Sequence, residues 1–136
     1  MNIGFIGTGK IASAVIIGIF KSDIAYKNVS ISPRNIKIAK KLKKKFNQIK
    51  IAKNNQEVLN TSNWVFLSVT PSIGKKIIKD LKFKTNQTII SFISSMTLSQ
   101  LKKEIKVKAK IIRAIPLPPI ALGKGPVPIC PPNKKV

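Results

Sequence analysis

The sequence predicts a doubly wound α/β fold: a parallel sheet of about six strands, helices on both faces, and a proline-rich tail behind it. Short apolar runs alternate with segments of helical period from residue 2 to residue 115. One run, Trp64-Val65-Phe66-Leu67-Ser68-Val69, is almost continuously apolar, as a strand buried on both faces must be. The first run passes straight into Gly7-Thr8-Gly9-Lys10-Ile11-Ala12 and then into an amphipathic stretch. That order is strand, tight turn, helix.

Residues 2–6 form the first strand and 10–20 the first helix. Residues 28–32 form a short second strand. In the helix predicted over 35–46, Ile36, Ala39, Leu42 and Phe46 recur at helical spacing, opposite the lysines of Lys40-Lys41-Leu42-Lys43-Lys44-Lys45. Residues 48–52 give a third strand and 56–61 a short helix with Asn55 as its N-cap. Pro71 ends the fourth strand, and 73–81 form the next helix. A fifth strand over 88–93, a helix over 98–105 and a sixth strand over 110–115 complete the alternation. Such βαβ units give a parallel sheet of the Rossmann type, so residues 1–115 read as one nucleotide-binding domain. Pro116, Pro118, Pro119, Pro126, Pro128, Pro131 and Pro132 crowd residues 116–136, with Gly123 and Gly125 among them. No helix is expected there, only an extended tail or linker leaving the sheet.

The glycine turn carries most of the functional signal. Gly7 allows the sharp turn, Gly9 lets an anion approach the backbone, and Ala12 lets the helix pack close to the strand. The helix start offers free N–H groups and a positive dipole end to a pyrophosphate. Gly7, Thr8, Gly9, Lys10, Ile11 and Ala12 are therefore the expected pyrophosphate loop. The second strand runs into Ser32-Pro33-Arg34-Asn35, where many such folds place an acid for the ribose 2′-hydroxyl of NAD. Here a hydroxyl, a guanidinium and an amide stand instead, which suits a 2′-phosphate and favours NADP(H) over NAD(H). Val69, Thr70 and Pro71, after the fourth strand, are expected on the nicotinamide-side ribose. Asn55 is expected on the adenosine side. Ser94-Ser95-Met96, after the fifth strand, faces the same crevice.

Composition bounds the chemistry. The chain has 136 residues, 43% apolar and 6% aromatic, so it can bury an aliphatic core. It carries 26 Lys and Arg against four acids, a net charge of +22. A basic nucleic-acid-binding module is one reading of that charge. The charge is spread along the whole chain, however, and no aromatic residues interleave the lysines as a stacking platform. No specific nucleic-acid partner and no membrane partner are expected. With no histidine and a single cysteine, Cys130, neither a metal site nor a Cys–His or Ser–His–Asp set can be assembled. The lone cysteine and the lack of a signal sequence read as a cytoplasmic protein. Hydride transfer remains open, because there the cofactor carries the reaction and the protein supplies position.

The chain resembles pyrroline-5-carboxylate reductase. The resemblance lies in Ile3-Gly4-Phe5-Ile6-Gly7-Thr8-Gly9-Lys10-Ile11-Ala12, Ile31-Ser32-Pro33-Arg34-Asn35, Asn54-Asn55-Gln56-Glu57-Val58 and Val65-Phe66-Leu67-Ser68-Val69-Thr70-Pro71. Ile90-Ser91-Phe92-Ile93-Ser94-Ser95 and Arg113-Ala114-Ile115-Pro116 extend it. The chain departs from the family at Thr70, where lysine or arginine is usual, at Ser94-Ser95, and at Leu117 after the Ile-Pro pair. The resemblance implies NADPH-dependent reduction of the cyclic imine 1-pyrroline-5-carboxylate to L-proline. It also implies a helical dimerisation domain, which no segment here matches. The expected partners are a cyclic imine substrate and either a second copy or a separate helical-domain partner. A non-catalytic NADP-binding remnant is the alternative that this mismatch leaves.

Overall fold

The computed structural model describes residues 1–131. Seven strands form one sheet in the order β3-β2-β1-β4-β5-β6-β7. β1 is Asn2–Ile6, β2 Asn28–Ile31, β3 Ile49–Ile51, β4 Trp64–Leu67, β5 Thr88–Ser91 and β6 Lys110–Ala114, and all of these pair in parallel. The helices between them are α1 (Lys10–Lys21), α2 (Ile36–Lys45), α3 (Asn55–Asn60), α4 (Pro71–Asp80) and α5 (Leu98–Ile105). The doubly wound α/β fold read from the sequence is the fold found, with element ends shifted by a residue or two.

The winding reverses once. From β1 the chain builds outward through β2 to β3, then returns under α3 to lay β4 on the other side of β1. In register, Phe5 pairs with Ile31 on one side and Phe66 on the other. The carboxyl ends of β1 and β4 therefore meet at the point where strand order reverses, the place where open parallel sheets collect ligands.

Alternation along the strands feeds two cores. Ile3 and Phe5 join Ala12, Ile16 and Leu42 beneath α1 and α2. Ile6, Val65 and Leu67 join Val58, Ile78 and Leu101 beneath α3, α4 and α5. Phe5 stacks on Phe66 with ring centroids 4.6 Å apart, and Phe66 leans on Phe92 at 5.5 Å, so aromatic contacts cross β1, β4 and β5 toward the carboxyl edge. No helix among the described residues is long and apolar enough to cross a membrane.

Two expectations need correction. Asn54, not Asn55, caps α3: its side chain accepts the Glu57 N–H at 2.9 Å, and Asn55 is already the first helical residue. The segment after β6 does not leave the sheet. Pro118–Leu122 forms a short 3-10 helix, and Ile129–Cys130 then returns as β7, antiparallel to Arg113–Ala114. Prolines are tolerated in the first turn of a short helix and along a sheet edge, so their density excludes an α-helix without excluding docking. The 3-10 helix packs on α1 because Gly18 has no side chain; a Cβ there would lie 2.5 Å from the Ile120 carbonyl oxygen. Pro132 and the residues after it lie outside the described residues.

Gly18→Ala should loosen this contact and cost about 1–3 kcal/mol in a denaturant melt, as overpacking does. Protease should then cut more readily within residues 116–128. Glu57 allows a second check. It accepts the Lys53 N–H at 2.6 Å and pairs with Lys50 at 3.2 Å, and these contacts hold its carboxyl below the ordinary value. A lowered folded pKa gives stability that is present above the unfolded pKa and lost as pH falls through the folded one. Glu57→Gln should therefore flatten the acid limb of a stability-versus-pH curve and leave its alkaline limb in place.

Candidate functional site

Two adjoining cavities open at the carboxyl edge of the sheet. The first, about 490 Å³, lies between the turn after β1 (Gly7, Thr8, Gly9), the turn after β2 (Arg34 to Lys37) and the turn after β4 (Ser68, Val69, Thr70). The second, about 390 Å³, shares Gly9, Ser68, Val69 and Thr70. It continues past Lys10 and Ile11 to Phe92, Ser94, Ile115 and Pro116. Together they make one crevice that crosses the reversal point of the sheet.

The first turn is built by exclusion. Gly7 sits at φ +99°, in the left-handed region, and any Cβ there would collide with the Ser68 carbonyl oxygen. Gly9 differs: its backbone is extended and nothing stands within 4 Å of where its Cβ would be. Glycine at this position is thus not required by the fold. It keeps open the space in front of the start of α1. That helix has no side-chain cap and no acid in its first turn, so its leading N–H groups face the opening unpaired by side chains. Thr8 adds a second unspent donor. It is 3% exposed, and its hydroxyl has no hydrogen-bond partner among the described residues. A cradle with open space, free N–H groups and an orphaned hydroxyl fits an anionic group, and a pyrophosphate in particular.

Several expected residues do meet here. Gly7, Thr8, Gly9, Arg34, Asn35, Val69 and Thr70 line the first cavity, and Lys10 and Ile11 the second. Arg34 is exposed. Asn35 also caps α2, its Oδ1 accepting the Ile38 N–H at 3.3 Å. Ala12 is wholly buried and lets α1 pack closely against the sheet, without touching the crevice. Pro71 opens α4 behind Thr70 and lines neither cavity.

Ser32 and Asn55 are elsewhere. Ser32 is completely buried, and its Oγ accepts the Gly7 N–H at 2.9 Å. The hydroxyl expected on a 2′-phosphate instead braces the glycine turn from below. Asn55 is the first residue of α3 and lines neither cavity. Conversely, Lys37 lines the first cavity beside Arg34 and was not singled out in the sequence. Its signal was present: it lies one turn beyond Arg34 at the start of α2. Phe92, Ile115 and Pro116 were missed as walls of the second cavity, since only pairing of β4, β5 and β6 brings them to it. Arg113 tethers this end, with Nη2 donating to the Ser94 carbonyl at 2.7 Å.

Fold and crevice together define a nucleotide-binding domain of the Rossmann type. The family model described as NADP oxidoreductase, coenzyme F420-dependent, matches residues 2–95, and the chain belongs to that family. It is 29% identical to pyrroline-5-carboxylate reductase of Escherichia coli over 134 residues, covering 96% of this chain and 49% of that protein. It is 28% identical to pyrroline-5-carboxylate reductase 3 of Danio rerio over 128 residues, covering 92% of this chain and 44% of the relative. The chain thus spans about half the length of the curated relatives it matches. Among solved structures, 1-pyrroline-5-carboxylate reductase of Streptococcus pyogenes matches at 28% identity and a TM-score of 0.69, covering 85% of this chain and 42% of that one. The Plasmodium falciparum reductase, solved with NADP bound, matches in fold at a TM-score of 0.82 and 22% identity, covering all of this chain and 49% of that one. The resemblance read from the sequence is borne out.

Ser32→Ala should leave the Gly7 N–H buried without its partner. Urea unfolding should show a loss of about 1–3 kcal/mol. Arg34→Ala, at an exposed position, should change stability little in the same assay.

Proposed function

We propose that the crevice holds NADP(H) and that the chain serves reduction of a cyclic imine, 1-pyrroline-5-carboxylate, to L-proline. The observation that carries the reading is the open space before Gly9, bordered by the uncapped start of α1, the orphaned Thr8 hydroxyl and two cations, Arg34 and Lys37. In this proposal the turn Gly7–Gly9 and the first N–H groups of α1 bind the pyrophosphate. Arg34, with Lys37 beside it, takes the 2′-phosphate; no acid lines the first cavity to favour a bare 2′-hydroxyl. Val69 and Thr70 border both cavities and would hold the ribose between them.

When bound, the reduced nicotinamide supplies the hydride. Ile11, Phe92, Ile115 and Pro116 give the second cavity apolar walls at that end. The lining of both cavities contains no histidine, cysteine or carboxylate. That suits a hydride acceptor that needs no proton from the protein. In a protonated imine the attacked carbon gains the hydride, and the C=N electron pair passes to a nitrogen that already carries its proton. Substrate contacts beyond the crevice would come from a helical domain of the kind the resemblance implies. The exposed thiol of Cys130 fits a reducing, cytoplasmic setting.

A fluorescence titration with NADPH should saturate; a strictly linear signal would end the proposal. Gly9→Val should abolish binding with an unchanged circular-dichroism spectrum, since its side chain would fill the cradle and nothing else. Arg34→Ala should weaken NADPH by roughly ten- to a hundredfold and leave NADH nearly unchanged. Equal losses for both would remove Arg34 from the 2′-phosphate. Oxidation of NADPH on adding pyrroline-5-carboxylate tests the substrate.

A further inference from the structure

We propose that the cleft between α1 and α2 is a second ligand site, one that takes an amphiphilic carboxylate such as a medium-chain fatty acid. The cleft encloses about 360 Å³, within the range of small-molecule pockets, about 300–1,000 Å³. Its floor is mostly apolar: Ile17 from α1, and Ile38 and Leu42 from α2, with Ser13 of α1 beside them. Its rim is cationic, with Lys10 from the first turn of α1 and Lys41 and Lys45 from α2.

The charge at this rim is uncompensated. Lys41 and Lys45 stand four residues apart on one helical face, an arrangement that is mutually repulsive without an anion. No acidic residue lines the cleft, and the ion pair found among the described residues, Lys50–Glu57, involves none of these lysines. An inorganic anion would satisfy the rim and leave the half-buried Ile17 and Ile38 of the floor in water. A neutral apolar molecule would cover the floor and desolvate the ammonium groups without a partner. A carboxylate on an alkyl chain answers both. Lys10 also lines the second cavity of the crevice, so the two sites share one border residue while their floors are separate.

The test uses the full chain, labelled at its isoleucine and leucine methyls, with dodecanoate added below its micellar concentration. Saturable shifts confined to Ile17, Ile38 and Leu42 are expected. Lys41→Glu/Lys45→Glu should weaken the interaction by about tenfold or more. If reversal of both charges disturbs the helix by circular dichroism, Lys41→Gln/Lys45→Gln replaces it with the same expected direction. Acetate and dodecyl maltoside should leave those methyls unshifted. Shifts spread through both cores, equal binding by the neutral detergent, or an unchanged affinity in the lysine variants would overturn the proposal. None of these readouts depends on whether the crevice binds NADPH.

Discussion

The turn after β1 depends on one close approach: the backbone of Gly7 against the carbonyl of Ser68. Around it, hydrogen bonds continue the ladder beyond the strand ends. Ser68 N–H donates to the Ile6 carbonyl at 2.8 Å, and Ser32 N–H donates to that of Phe5 at 2.9 Å. The Ser32 hydroxyl then receives the Gly7 N–H. Three strands thus fix one glycine in a left-handed conformation, and that conformation aims the start of α1 at the crevice. A side chain at Gly7 would have to push β4 away from β1. The same side chain at Gly9 would displace only solvent. Two glycines of one motif therefore belong to different links of the chain from sequence to function, the first to folding and the second, in the proposed function, to binding.

The crevice is positive by what it lacks as much as by what it contains. The helix starts at α1 and α4 carry neither side-chain caps nor acids, while α2, α3 and α5 are capped by Asn35, Asn54 and Thr97. Capping satisfies N–H groups that would otherwise seek an anion. The two uncapped starts are the two that border the second cavity. This division matters more to the site than the net charge of +22, which is spread over the surface. A lysine in water contributes a screened field, whereas an uncapped N–H at a cavity wall is aimed.

The parts of this architecture visible in the sequence are those encoded locally. The alternation of apolar runs and helical periods gave the strands and helices, because each period reflects contacts within one element. The glycine turn was legible because its small residues stand in consecutive order. Ser32 differs from its expected place for a physical reason: it follows the last residue of β2 and turns inward to accept the Gly7 N–H, while Arg34, past Pro33 and outside the strand, is exposed, and no strand alternation fixes the direction of either. Asn55 was misplaced by one residue, which suffices to exchange a cap for a helical position. Phe92 and Ile115 could not be assigned to the crevice without the register of β4, β5 and β6.

The proline-rich segment shows how a local rule can be right and its consequence wrong. Proline density does forbid an α-helix, and none forms there. Yet rigid φ angles also lower the entropy lost when a segment docks, so such a strap needs few contacts to hold it. Here those contacts are the bare backbone of Gly18 under Ile120 and the short pairing of β7 with β6, reinforced by the Ile115 N–H donating to the Pro128 carbonyl at 3.0 Å. The residues that begin the strap, Ile115 and Pro116, are also walls of the second cavity. The segment that docks on α1 and one wall of the crevice are consequently continuous in the chain. The 3-10 helix packs on α1 while the turn after β1 presents that helix's first N–H groups to the opening, so the segment after β6 both docks on the domain and walls part of its crevice.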